Sequence, residues 1–156
     1  MRLACAVAKQ SPDMSTQNGA VLSTPDGSTI RDTFACNTFP AGVQHLPERW
    51  ERPAKYVEHA ERNSIYFAAR NGIATQGLSL VCGWAACADC ARAIVQSGIK
   101  TLVTFPRVEE ETAASRYESI RIADEMLAEA GVEIEFITEY VPMPALRRNG
   151  RLLDPA

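Results

Sequence analysis

The sequence predicts an α/β protein of three layers, in which helices cover both faces of a mixed sheet of about five strands. Three observations lead to this prediction. A short apolar hairpin comes first, three helix–strand units follow it, and a glycine stands where each of those helices should end. Hydrophobic residues make up 46% of the 156 residues and charged residues 22%, as is typical of a globular protein, so we expect one domain over residues 1–156.

The first third of the chain predicts a helix, a hairpin and a long loop. Residues 2–9 are expected to form a short helix. An apolar strand over residues 19–23 is followed by the turn sequence Pro-Asp-Gly and by a second strand over residues 29–35. Residues 37–57 contain three prolines and are expected to be irregular. Loops of this length are usually functional, so this one is expected to cover a site.

The rest of the chain alternates between helices and strands. Helices are predicted over residues 58–71, 87–97 and 113–130, and strands over residues 78–82, 100–105 and 132–136. The last helix carries an apolar stripe at Tyr117, Ile120, Ala123, Leu127 and Ala130. Crossovers between parallel strands are right-handed, and we therefore expect the first two of these helices to lie side by side.

A metal-binding motif is divided between the starts of those two helices. Residues 59–61 read His-Ala-Glu, and residues 87–90 read Cys-Ala-Asp-Cys. His59, Cys87 and Cys90 are good zinc ligands, but they are one fewer than a closed structural site has. Two thiolates and a neutral imidazole balance the charge of Zn²⁺, and the N-terminus of a helix favours thiolates. The sequence therefore predicts a zinc site with an open fourth position.

Glu61 is the residue expected to transfer protons at this site. It stands two residues after His59, where a helix's first turn lets both side chains reach one pocket. Zinc lowers the pKa of a bound water to about 7, and Glu61 is placed to take the proton of that water. The spacing alone leaves two alternatives open, namely a redox pair of cysteines and a non-catalytic zinc module whose fourth ligand is Cys82 or His45.

The combination of His-x-Glu with Cys-x-x-Cys is the signature of zinc nucleobase deaminases, and the chain resembles the deoxycytidylate deaminases in particular. Segments 15–21, 37–42, 58–63 and 96–103 carry the resemblance, which covers roughly residues 11–105. It implies a cytidine deaminase-like fold, a homo-oligomer, and hydrolytic conversion of dCMP to dUMP with release of ammonia. It also implies that His59, Cys87 and Cys90 bind zinc, that zinc-bound hydroxide is the nucleophile, and that Glu61 shuttles protons.

The resemblance further implies how the base is held, and the chain departs from the family in these segments. Asn37 would contact the base or the sugar, and the backbone around Ala60 and Ala86 would hold the pyrimidine edge. Ala86 replaces the family's proline, and residues 35–38 read Ala-Cys-Asn-Thr instead of Gly-Tyr-Asn-Gly. These changes leave open the same chemistry on a free nucleobase, a nucleoside or another aminated heterocycle.

A nucleotide substrate also requires cations for its phosphate. Arg49, Arg52 and Lys55 are the candidates, because their loop comes just before His59. Trp84 lies in a segment that also departs from the family, and it is expected either to pack in the core or to form a wall of the pocket.

The composition favours a small-molecule substrate over nucleic acid or a membrane. The net charge of −3 provides no basic track for a strand, and the arginines at 147, 148 and 151 are expected to belong to a solvated tail. No apolar run approaches about 20 residues, and the N-terminus does not have the layout of a signal peptide. Five cysteines, an odd number, fit the reducing cytoplasm better than a disulfide framework.

Overall fold

The computed structural model describes residues 1–106 and 114–153, and a five-stranded sheet forms its centre. In chain order the strands are β1 (Gly19–Ser23), β2 (Ala35–Cys36), β3 (Ser79–Cys82), β4 (Thr101–Thr104) and β5 (Glu133–Phe136). They are arranged β2-β1-β3-β4-β5; β1 is antiparallel to both neighbours, whereas β3, β4 and β5 are parallel. The predicted mixed sheet of five strands is confirmed.

Helices lie on both faces of the sheet. The described helices are α1 (Arg2–Ala8), α2 (Pro47–Trp50), α3 (Pro53–Tyr56), α4 (Ala60–Arg70), α5 (Ala88–Gln96) and α6 (Ala114–Glu129). One face packs against α4, α5 and α6, and the other packs against α1. The helices α4 and α5 are neighbours, as right-handed crossovers predict. Their N-terminal ends therefore come together beside the sheet.

Successive side chains of the central strands point to opposite faces of the sheet, so the hydrophobic core has two parts, one on each face. Leu22, Leu80 and Leu102, each at most 2% exposed, pack with the helices α4 to α6. Val21 and Val81 point to the opposite face and pack against α1. Successive strand residues face opposite sides, so one sheet fills both cores. Each of these buried aliphatic side chains stabilises the fold by about 1.5–3 kcal/mol.

The second strand of the hairpin is much shorter than the sequence predicts. Only Ala35 of the predicted strand over residues 29–35 lies in β2. Asp32 has a φ of +65°, which an extended strand does not allow. Beyond this break the side chain of Thr33 replaces a backbone partner, because the Leu22 N–H donates to the Thr33 hydroxyl at 3.2 Å. The bend of the chain around Asp32 therefore limits pairing with β1.

Residues 37–57 are more ordered than the predicted irregular loop. The helices α2 and α3 each begin with a proline, whose fixed φ suits the first position of a helix. Phe39, 2% exposed, stacks on His45 at 4.7 Å and on Trp50 at 4.3 Å between ring centroids. The sequence did not predict these two helices, because four residues are too few for a helical repeat of apolar residues to be recognised.

The basic C-terminal segment forms a hairpin, so the prediction of a solvated tail is wrong. The strands β6 (Leu146–Arg148) and β7 (Arg151–Leu153) are antiparallel and meet at Asn149 and Gly150, whose φ angles are 52° and 78°. Positive φ at both central residues is the geometry of a type I′ turn. The Gly150 N–H donates to the Ser15 carbonyl at 2.8 Å, which docks the hairpin on the loop before β1.

The other predicted elements agree within two residues where the structure describes them. The predicted start of the last helix, Ala113, lies outside the described residues. In α6 the middle of the stripe is fully buried at Ala123 and Leu127, whereas Tyr117 is 45% exposed. Within the described residues we find no helix that combines the length and the apolar character of a membrane span.

Candidate metal centre and active site

Three side chains that suit zinc meet at the N-terminal ends of α4 and α5. His59 and Cys87 are the residues that cap the two helices, both with extended backbone, and Cys90 lies one turn into α5. The His59 Nδ1 atom is 3.5 Å from each sulfur, and the two sulfurs are 3.6 Å apart. Tetrahedral zinc, with bonds of about 2.3 Å to sulfur and about 2.0 Å to nitrogen, requires about 3.5 Å between nitrogen and sulfur and about 3.8 Å between the two sulfurs. The three side chains therefore already have the spacing that zinc needs.

The fourth position of this site is open among the described residues. The group of side chains close enough to share a metal consists of His59, Cys87 and Cys90. Cys82 is fully buried and its thiol donates to the Trp84 carbonyl at 3.2 Å. His45 stacks on Phe39 in the loop. Neither candidate for a fourth structural ligand joins the group, so the geometry favours an open, catalytic type of site.

The two thiols differ in acidity. The hydrogen bond between the Cys87 and Cys90 sulfurs, together with His59, lowers the pKa of Cys87 to about 3 despite its burial. The pKa of Cys90 lies well above its ordinary value because of that hydrogen bond and of burial. The Cys87 thiolate also raises the pKa of His59. These directions favour a Cys87 thiolate beside a protonated Cys90 and a His59 that holds a proton more readily, so zinc binding releases protons from the ligands.

Glu61 lies on the first turn of α4 and lines the same cavity as His59 and Cys87. Its side chain is almost fully buried, with 2% of the residue exposed, and burial raises the pKa of its carboxyl. The Asn18 amide donates to Glu61 Oε2 at 3.2 Å. Glu61 is not one of the three clustered ligands. A buried carboxyl beside the site, but outside the ligand group, is the arrangement that proton transfer requires.

Arg62 joins the two metal-binding helices and was missed in the sequence. It forms an ion pair with Glu58, lies 3.6 Å from the Asp89 carboxylate, and has its Nη1 atom 3.8 Å from the Cys90 sulfur. A cation beside a ligand sulfur stabilises the thiolate that zinc needs. The spacing of four residues between Glu58 and Arg62 was the available signal.

Replacing Arg62 by methionine is expected to weaken zinc binding about 10- to 100-fold, the usual effect of losing a partner of a ligand. Competition with a chromogenic chelator would measure the change. The matched control is Arg92→Met, because Arg92 pairs with the same Asp89 but is mostly exposed, with 60% of its side chain accessible. Equal zinc affinities in the wild type and the Arg62 variant would contradict this role.

His59, Cys87 and Glu61 line one cavity of about 390 Å³, and Cys90 is buried behind it. Its walls come from the loop before β1, the start of α3, the N-terminal ends of α4 and α5, the helix α6 and the C-terminal hairpin. Trp84 lines this cavity, and the Arg148 guanidinium lies 4.6 Å above the centre of its ring. The cavity therefore combines a metal centre, an aromatic wall and cationic side chains.

The residues expected near the base are only partly in this cavity. Asn37 lines it, but its amide accepts the Ala60 N–H at 2.9 Å and donates to the Thr16 carbonyl at 2.8 Å. Ala60 and Ala86 are buried and do not line it, whereas Ala85 does. The substrate roles predicted for Asn37, Ala60 and Ala86 stay predictions.

The cations expected to bind phosphate lie elsewhere in this chain. Arg49 and Lys55 line a separate surface depression, and Arg49 lies 5.3 Å from the Tyr56 ring centre. Arg52 is exposed and lines neither cavity. Their position therefore gives the predicted phosphate role no support.

The cavity has other arginines. Besides Arg62, Arg116 and Arg148 line it, and Arg116 hydrogen-bonds to the side chain of Asn149. Sequence reasoning missed both, because long-range folding brings them to the site. An Asn-Gly pair at residues 149–150 was a signal for the hairpin that carries Arg148.

Comparison with known proteins shows what this arrangement belongs to. Residues 1–105 match the family model described as the cytidine and deoxycytidylate deaminase zinc-binding region. An uncharacterised deaminase in the luxG 3′ region of Aliivibrio fischeri is 33% identical over 138 residues, which are 87% of this chain and 89% of that protein. Deoxycytidylate deaminase of Enterobacteria phage T4 is 31% identical over 78% of this chain, but the match covers only 63% of the phage enzyme.

A solved structure shows the same similarity to deaminases at the level of the fold. The dCMP deaminase of cyanophage S-TIM5, in complex with dCMP and dUMP, superposes with a TM-score of 0.65 at 25% identity, over 86% of this chain and 90% of that one. The shared fold, the three clustered ligands and the match over most of the sequence agree with one another. The chain belongs to the cytidine and deoxycytidylate deaminase zinc-binding family.

Proposed function

We propose that this protein is a zinc-dependent deaminase that hydrolyses dCMP to dUMP and ammonia. One observation carries the proposal: His59 and Cys87, which cluster with the buried Cys90, line a cavity that also contains a buried acid and three arginines. The relatives named above as deoxycytidylate deaminases support the choice of substrate.

The protein's own residues divide the reaction between them. His59, Cys87 and Cys90 would hold zinc, which supplies Lewis-acid activation of water. Glu61 takes a proton from the attacking water and delivers it to N3 of the ring. The oxygen of the water bonds to C4, the carbon that carries the amine. Glu61 then takes the second proton from the new C4 hydroxyl and passes it to the amine, which leaves as ammonia while the C4 carbonyl forms and the C4–N bond breaks. Burial of Glu61 keeps bulk water away from these transfers.

Arg116 and Arg148 are the cations proposed to bind the phosphate of the nucleotide. Both line the cavity, and they come from separate elements, α6 and the C-terminal hairpin. A guanidinium forms short, charge-assisted hydrogen bonds with phosphate oxygens. The Arg148 guanidinium carbon lies over the Trp84 ring, whose face attracts a cation. This pair takes the role that the sequence had assigned to the loop cations.

Ammonia release by the zinc-loaded protein tests the proposal on dCMP, CMP, deoxycytidine, cytosine, and amino-purine and triazine bases. The expected result is turnover of dCMP with little activity on deoxycytidine, which differs only in lacking the phosphate. Turnover of unphosphorylated rings without turnover of dCMP would overturn the choice of substrate and keep the chemistry.

Replacing Arg148 or Arg116 by glutamine is expected to raise the KM for dCMP about 10- to 150-fold, since a hydrogen bond to a charged group contributes about 1.5–3 kcal/mol. The same variants should leave the KM for any residual deoxycytidine turnover unchanged. Arg121→Gln is the control, because Arg121 is exposed on the same helix and pairs with Glu125. Equal losses on the phosphorylated and unphosphorylated substrates would contradict a phosphate role.

A second candidate keeps the chemistry and changes the substrate to an unphosphorylated aminated ring. It is favoured by the existing contacts of the two arginines, since Arg148 stacks on Trp84 and Arg116 hydrogen-bonds to Asn149. In that case these side chains shape the wall of the cavity, and the panel of substrates separates the two candidates.

A further inference from the structure

Asn18 makes three buried hydrogen bonds at the point where β1 begins. It is 3% exposed. Its Oδ1 atom accepts the N–H of Gly19 at 3.0 Å and the N–H of Gly83 at 3.2 Å. Its Nδ2 atom donates to Glu61 Oε2 at 3.2 Å. One side chain therefore connects β1, the end of β3 and the first turn of α4.

The orientation of the Asn18 amide follows from its neighbours. Two backbone N–H groups, from Gly19 and Gly83, converge on one atom of the amide. Only the oxygen can accept them, so the NH₂ group has to face Glu61. Asn18 is thus a donor to the buried carboxyl. The N–H groups of Gly19 and Gly83 belong to the backbone, so their hydrogen bonds keep the amide in this orientation.

This contact fixes one oxygen of Glu61 and leaves the other for chemistry. A glutamate side chain has three rotatable bonds, and proton transfer requires its carboxyl to be held close to one geometry. Misplacement by about 1 Å can cost about 100-fold in rate. With Oε2 held by Asn18, Oε1 would be the oxygen that exchanges protons in the cavity.

We propose that Asn18 is a positioning residue that orients the Glu61 carboxyl for proton transfer. Gly83 leads directly into Trp84, whose indole N–H donates to the Gln17 carbonyl at 2.9 Å. The same asparagine therefore aligns Glu61 with the segment that forms the aromatic wall. The inference rests on the proton-transfer role of Glu61 given under the proposed function, but not on the identity of the substrate.

Asn18→Asp tests this role, because the aspartate keeps the oxygen that accepts the two backbone N–H groups and replaces the permanent amide donor to Glu61 by a carboxyl that donates only when it is protonated. The assay uses whichever substrate the wild type turns over fastest. The expected result is full zinc content, a melting temperature close to that of the wild type, a kcat about 10- to 100-fold lower and a KM within about threefold. Activity should also shift towards low pH, since protonation of the new carboxyl restores a donor.

A double-mutant cycle with Glu61→Gln completes the test. If Asn18 acts through Glu61, Asn18→Asp causes little further loss in the Glu61→Gln background. A wild-type kcat in Asn18→Asp, or an undiminished loss in that background, would overturn the proposal. If Asn18→Asp does not fold, Asn18→Ala is used in the cycle instead. Failure of the proposed substrate shows as a wild type inactive on dCMP, which is a different result from either of these.

Discussion

Replacing Glu61 by glutamine is expected to lower kcat by about 10²–10⁴-fold, the usual contribution of a general acid–base residue, while the protein keeps its zinc. Glutamine has nearly the same shape as glutamate, and Glu61 is not one of the clustered ligands. The loss of turnover would therefore come from the missing proton transfer rather than from a missing metal.

The surroundings of Glu61 allow glutamine to replace it without the loss of a hydrogen bond or of stability. The carboxyl is buried and its Oε2 atom accepts a hydrogen bond from Asn18. A glutamine at this position can offer its amide oxygen to the same donor, so the bond is retained. The variant also removes a group whose pKa burial raises, which is not expected to destabilise the fold.

Zinc content, melting temperature and kcat measured on one preparation would decide this prediction. The control is Glu125→Gln, the same chemical change at an exposed residue on α6. We expect that control to match the wild type in all three measurements. A Glu61→Gln variant that holds zinc and deaminates at nearly the wild-type rate would show that another group transfers the protons.

The metal centre was predictable because its signal is local. His59 and Glu61 lie within one turn, as do Cys87 and Cys90, and each pair needs only a helix start to acquire its geometry. The glycines that end the helices are equally local signals, and Gly72 and Gly98 do have positive φ. Only the meeting of the two helices required an argument about the fold, and the right-handed crossover supplied it.

The walls of the cavity were not predictable in the same way. Arg148 stands 64 residues after Trp84 in the sequence, and no spacing rule connects them. The hairpin that carries Arg148 reaches the site through hydrogen bonds to the loop before β1, which form only after folding. Asn18 likewise gives no sign in the sequence that its amide contacts Glu61, because the contact depends on three elements at once.

The hairpin error has a related physical cause. Residues 29–35 have the composition of a strand, but Thr33 is fully buried and uses its hydroxyl to bond both the Leu22 N–H and the Ile30 carbonyl. The Thr33 hydroxyl accepts a hydrogen bond that a backbone carbonyl would accept in a regular strand pair. Strand propensity cannot reveal this competition, since it depends on which groups the neighbouring strand leaves unpaired.

Removing zinc with a chelator is expected to abolish turnover and to leave a folded but less stable protein. Leu22, Leu80 and Leu102 of the main core come from strands of the central sheet, so their burial does not depend on the metal. A metal present at about a thousand times its Kd stabilises a protein by about 4 kcal/mol. For a chain of this size each kcal/mol shifts the melting temperature by about 2–4 °C, so its loss should lower that temperature by roughly 8–16 °C.

Activity should return when zinc is added back, and Cys90→Ser should behave like the metal-free protein. Cys36→Ser is the matched control, because Cys36 is a half-buried cysteine outside the ligand group. We expect that control to keep its zinc and its melting temperature. Full turnover after complete removal of the metal would refute a catalytic metal centre.

The uptake of zinc should also depend on pH in a defined direction. The pKa of Cys90 is raised well above its ordinary value, so its thiol is protonated near neutral pH, whereas Cys87, with a pKa of about 3, is already a thiolate. Zinc must therefore displace a proton from Cys90, and its affinity should fall by at least about tenfold for each unit by which the pH is lowered, and more steeply where His59, whose pKa is also raised, is protonated. Zinc titrations at several pH values in buffers of different ionisation enthalpy would count the released protons. An affinity independent of pH would mean that both sulfurs are thiolates before the metal arrives, and that Arg62 and the start of α5 stabilise both charges without it.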